Sequence, residues 1–92
     1  MLTRPLIFAG GQLEVNYATS AVGTMLFEVC DEQGKAIKGF SLADSEVLFG
    51  NELEHAVRWH GTGNLAALAG KPVRLRVRLH DADLYSFRFA PN

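Results

Sequence analysis

What this 92-residue chain lacks narrows it before what it contains. It has a single cysteine, Cys30, so no intrachain disulfide can hold it and its stability rests on a core. There is no Pro-rich linker, low-complexity tract or internal repeat that would divide it, and the length suits one core rather than two, so residues 1–92 read as a single domain. No run approaches the roughly 20 apolar residues that span a bilayer. Neither a charged leader followed by an apolar run nor a cleavage site opens the sequence, so no membrane partner is expected and any export signal would lie elsewhere in a longer polypeptide. A basic excess is also missing. The net charge of −1 and pI near 6.3 argue against a dedicated nucleic-acid binder, which needs cations to displace counterions from phosphates.

Catalytic signatures are equally thin. Ser20, Ser41, Ser45 and Ser86 stand in no G-x-S-x-G context, and Cys30 at a strand end reads as a small buried hydrophobe. His55, His60 and His80 are scattered, with no H-x-E or C-x-x-C beside them, so no metal site is expected. Calcium held by Asp44, Asp81 and Asp83 stays open as an alternative, because oxygen ligands leave little spacing signature. Asp81 and Asp83 read first as turn formers, and Glu52 and Glu54 lack a second acid across a cleft. The glycines at Gly10, Gly11, Gly61 and Gly63 precede no long helix and make no phosphate cradle. The chain is expected to be non-catalytic and to need no cofactor.

What is present is period-two alternation in short runs, the pattern of half-buried antiparallel strands. Strands are expected at Leu2 to Phe8, Gln12 to Ala18, Thr24 to Asp31, Ala36 to Ser41, Glu46 to Phe49, His55 to Trp59, Val73 to His80 and Leu84 to Ala90. Between them, Asp31 to Gly34 reads as a hairpin loop closed by Gly34, while Gly10-Gly11 and the four residues His80 to Asp83 read as tight connections. One short helical turn is expected near 64–70, with Asn64 as cap and Gly70 as stop. The spacing indicates an all-β, antiparallel β-sandwich.

Charge is distributed unevenly. Residues 1–54 carry three basic and eight acidic side chains, residues 55–92 six basic and two acidic. Alternation in Val73 to His80 points Val73, Leu75, Val77 and Leu79 inward, so Arg74, Arg76 and Arg78 face the other way. They are expected to form a solvated strip paired with Glu14, Glu28 or Glu46, or else an anion-binding surface joined by Arg58 and Arg88 if the strand order allows. The same count puts Tyr85, Phe87 and Phe89 on one side. Trp59 shares a face with Val57, which favours the core; an exposed ring would instead stack on a sugar. The candidate ligand-binding set is therefore Arg58, Trp59, Arg74, Arg76 and Tyr85.

Several segments carry a family resemblance: Leu13 to Asn16, Glu28 to Asp31 with Gly34 in its turn, Ile37 to Ser41, Val57 to Trp59, and above all Leu68 to Arg76 with Asp81 to Phe87. From Gly11 to Phe89 the chain resembles the small C-terminal β-sandwich appended to glycoside hydrolases of the levanase/invertase-like, five-bladed propeller type. The resemblance implies a jelly-roll-like, concanavalin A-like sandwich that serves as a non-catalytic accessory module, excised from a longer and extracytoplasmic protein, whose sheets pack against the catalytic domain of the same polypeptide. The acid pair of such enzymes resides in the propeller, so no catalytic residue carries over. A module of this kind is expected to be monomeric or weakly dimeric. A free-standing glycan-binding module using Trp59 or Tyr85 with the arginines is the alternative, with carbohydrate as its partner.

Overall fold

The computed structural model describes residues 1–60 and 64–90; the Gly61 to Gly63 segment considered above lies outside them. Among the described residues the fold is mostly β, with three strands, β1 (Gln12–Cys30), β2 (Asn51–Ala56) and β3 (Arg74–Ala90), and one 3₁₀ turn at Ala66–Leu68. They form a single antiparallel sheet in the order β2-β1-β3.

Two pairs of expected strands are fused. Gln12 to Ala18 and, but for its last residue, Thr24 to Asp31 are parts of β1; Val73 to His80, but for its first residue, and Leu84 to Ala90 are parts of β3. The residues His80 to Asp83 do not make a turn. They run through as strand, with a break in register where Thr19 faces Ala82 and Thr24 faces His80, and with Asp81 at φ 47°. Four residues of β1 oppose one of β3 there, which is a bulge.

Its consequence follows from length. Nineteen residues of straight strand would reach about 60 Å, whereas the longest dimension of the molecule is 36 Å. The β1-β3 ribbon therefore bends back at the bulge, and both of its halves serve one core. Leu13, Val15 and Tyr17 from the first half of β1 and Met25, Phe27 and Val29 from the second belong to the same buried cluster, with Val57, Trp59, Leu65, Val73, Leu75 and Val77. Gly23 is needed at the bend. A Cβ there would stand 2.8 Å from the carbonyl oxygen of His80 and closer still to that of Asp81.

The expected strand His55 to Trp59 enters the sheet only through His55 and Ala56, because β2 begins earlier, at Asn51; the other expected strands survive as bridges around this ribbon, and Trp59 makes a bridge of its own. Leu2 and Leu6 pair with Arg76 and Val73, Ala36 with Cys30, Leu48 with Met25, and Ser45 with Trp59. The hairpin loop is as expected: the Gly34 N–H donates to the Asp31 carbonyl and Gly34 takes φ 83°. The 3₁₀ turn is likewise where Asn64 and Gly70 place it, with the Asn64 carboxamide accepting from the Ala66 N–H and Gly70 at φ 82°.

Two inward assignments change. Leu79 is 42% exposed because it lies where β3 leaves the core for the bend. Tyr85 does not share a face with Phe87 and Phe89: Asn16 pairs with Ser86 and Tyr17 with Leu84, so Tyr85 is an extra residue that bulges out, 63% exposed.

Candidate functional site

The strand order answers the question of the arginines. Because β1 lies between β2 and β3, each of its two glutamates stands opposite an arginine of β3. Glu28 faces Arg76 and Glu14 faces Arg88. The Arg76 guanidinium donates to Glu28 at 2.8 Å, and Arg88 donates to Glu14 through Nε and Nη2 at 2.9 and 2.8 Å. Two carboxylates from the acidic first half of the sequence are thus neutralised by two arginines of the basic second half on the adjacent strand. Arg74 donates to the Glu32 carbonyl at 2.8 Å, fastening the hairpin loop to β3.

Glu28 is the buried centre of this pairing, 5% exposed. Burial pushes its carboxyl upward, but the Leu42 N–H, the Cys30 thiol and Arg76 together hold it below the usual carboxylate range. Arg88 lowers Glu14 in the same direction, and Glu14 raises Arg88. Cys30 is pushed up to about 11, first by burial and then by its bond to Glu28. That thiol is no nucleophile at neutral pH.

The candidate ligand set does not converge. Trp59 is fully buried, donates its indole N–H to the Phe27 carbonyl at 2.9 Å, and meets the ring of Phe40 edge-on at 5.5 Å. It has no free face for a sugar. Arg58 is exposed and its backbone N–H is held by Glu46 at 2.7 Å, whereas Arg74 and Arg76 are engaged near the hairpin loop. Tyr85 alone of the five presents an open ring.

Among the described residues the other polar groups are paired as follows. The Ser41 hydroxyl donates to one oxygen of the Asp44 carboxylate at 2.9 Å and His60 contacts the other, so the histidine meets the acid and not the serine. Those contacts, Ser41 first, hold Asp44 below its ordinary range. His55 contacts Glu46 at 3.2 Å. Among the described residues no group of three or more histidine, cysteine or acidic side chains gathers to hold a metal, calcium by Asp44, Asp81 and Asp83 included.

A concave site does exist, on the solvent face of the sheet. A depression of about 620 Å³ crosses all three strands, lined by Glu14 and Asn16 of β1, Leu53 and Glu54 of β2, and Ser86 and Arg88 of β3. A second, of about 300 Å³, adjoins it through Asn16 and Leu53 and reaches Tyr85 and Glu52. Both outer strands break register beside Asn16. On β2, Val15 pairs with His55 and Tyr17 with Glu52, leaving Leu53 and Glu54 together opposite one residue, with Glu54 at φ 57°. On β3 the extra residue is Tyr85. Bulges re-aim side chains, and here two of them turn Leu53, Glu54 and Tyr85 toward the same stretch of β1. Outward parity marks Glu14 and Asn16 in the sequence, but it carries no sign of the bulges or of the strands that flank them.

Comparison of the chain with known family models, curated proteins and solved structures gives no match.

Proposed function

We propose that the chain is a non-catalytic β-sandwich accessory module of a carbohydrate-active, glycoside hydrolase-like protein, docked against the catalytic domain of the same polypeptide. The resemblance in Leu68 to Arg76 and Asp81 to Phe87 motivates the reading. One structural observation supports it: the free edge of β3. Beyond Val77, among the described residues, no strand pairs with that edge, and an apolar depression of about 560 Å³ opens there between Met1, Leu79, Leu84 and Phe87. Met1, Leu79 and Tyr85 are 63%, 42% and 63% exposed. Leu84, Phe87 and Phe89 pack on the core yet are only partly covered. Contiguous apolar surface beside an unpaired strand edge is what a docking face leaves when its partner is absent. The sandwich form follows on the same reading, with the bent ribbon supplying both layers.

Hydrogen exchange tests it, comparing this chain alone with the complete polypeptide encoded by its gene. Amides from Leu79 to Phe87 are expected to gain protection in the longer protein, and Leu79→Asp to abolish that gain while the isolated chain stays folded. Equal exchange in both proteins would refute docking through this edge. Reproducible turnover of a panel of glycosides by the isolated chain, surviving repeated purification, would refute the non-catalytic assignment.

A further inference from the structure

We infer that the paired depressions on the solvent face of the sheet, centred on Asn16, are a binding site for a neutral oligosaccharide. The inference does not rest on docking through the β3 edge, but the groove shares Tyr85, Ser86 and Phe87 with the depression there, so it is tested on the isolated chain. Combined, the two depressions lie within the size range of small-ligand sites, about 300–1,000 Å³, and their shared lining by Asn16 and Leu53 makes them one groove across the strands. A groove of two compartments suits a ligand of more than one ring.

The lining sets the ligand's chemistry. Asn16 offers a carboxamide that both donates and accepts, and opposite it Ser86 offers a hydroxyl that does the same. Vicinal hydroxyls need such mixed groups. Glu14 and Arg88 add an acceptor and donors whose positions are held by their mutual bond. Tyr85, exposed by its bulge, supplies a ring face of the kind that packs on the C–H face of a sugar, and Leu53, 76% exposed, supplies apolar surface on the opposite strand.

Charge does not select the ligand. Glu14 is engaged by Arg88, while Glu52 and Glu54 are exposed, so salt screens their repulsion of a uronate as much as their attraction for a cation. The mixed donors and acceptors beside an exposed ring are what select a neutral sugar. The arginines of the first half of β3 take no part, which places the site away from Arg74 and Arg76.

The test is amide NMR titration of the isolated chain with neutral oligomers of fructose, glucose, xylose, mannose and arabinose. An oligogalacturonate and a chitosan oligomer run alongside. At least one neutral oligomer is expected to give saturable shifts centred on Asn16, Leu53, Tyr85 and Ser86. Asn16→Ala and Tyr85→Ala are each expected to weaken that binding at least about tenfold, which corresponds to about 1.4 kcal/mol. Tyr85→Phe should retain it, because the ring face remains. Unchanged Trp59 emission would show that each variant is folded. No saturable shift with any neutral oligomer at about 10 mM, where a Kd near 1 mM would be mostly saturated, overturns the inference. So do shifts centred away from Asn16, or tighter binding of the acidic or cationic oligomer. The wild-type shift map decides the matter even if a variant fails to fold.

Discussion

Removing the guanidinium from Arg76 while keeping its apolar stem, as Arg76→Met does, strips a buried carboxylate of its counter-charge. Glu28 is 5% exposed and would keep the Leu42 N–H at 2.9 Å and the Cys30 thiol at 3.2 Å, but lose Arg76 at 2.8 Å. Breaking a fully buried pair costs about 3–5 kcal/mol, and breaking an exposed one about 0–1 kcal/mol. Because the Arg76 side chain is 40% exposed, the pair lies between these limits and about 2 kcal/mol is expected. In a domain of this size that lowers Tm by about 8–16 °C. Urea or thermal unfolding followed by Trp59 emission measures it.

Acid supplies the sharper signature. A carboxylate whose folded pKa is depressed stabilises the fold above its unfolded value, about 4.3, and that stability is lost as pH falls through the folded value. Glu28 is such a group, and Arg76 is one cause of its depression. The gap between wild type and Arg76→Met should therefore be full at pH 7 and close progressively as pH falls from about 4. A difference under about 0.5 kcal/mol at pH 7, or one that is the same at pH 3 and pH 7, would refute the assignment of Glu28–Arg76 as a structural ion pair.

Trp59 should emit in the blue and resist acrylamide with or without sugar; Trp59→Ala should cost about 3–5 kcal/mol, and a red, quenchable emission would show that the ring is not core. Cys30, buried with its thiol pushed up to about 11, should react with a disulfide reagent only after unfolding in urea; complete labelling of the native protein within seconds would contradict its placement. Gly23→Ala forces a Cβ against the backbone of His80 and Asp81 at the ribbon bend, for an expected loss of about 1–3 kcal/mol. Denaturation midpoints equal to wild type would mean that the two strands do not approach so closely there.

Alternation and turn chemistry made much of the architecture legible. Every expected strand coincides with extended, paired or bridged backbone somewhere in its span, and the loop at Gly34 and the helical turn before Gly70 lie where glycine requires them. The His80 to Asp83 segment misled because Asp and Ala after a full strand are equally compatible with a turn and with a bulge inside a longer strand. Only the partner strand distinguishes the two. The same holds for Tyr85, whose parity reverses through an extra residue that no local pattern announces.

By itself, then, the sequence determined an all-β chain with one core, the burial of Val57 and Trp59 on a shared face, and arginines opposite aliphatics in β3, since each depends only on composition and the two-residue period of a strand. Tertiary structure decided which glutamate each arginine meets and which side chains share a concave surface. Those depend on strand order and register, set by contacts between segments as far apart as Glu14 and Arg88, and one inserted residue in a strand changes the face on which every following side chain lies.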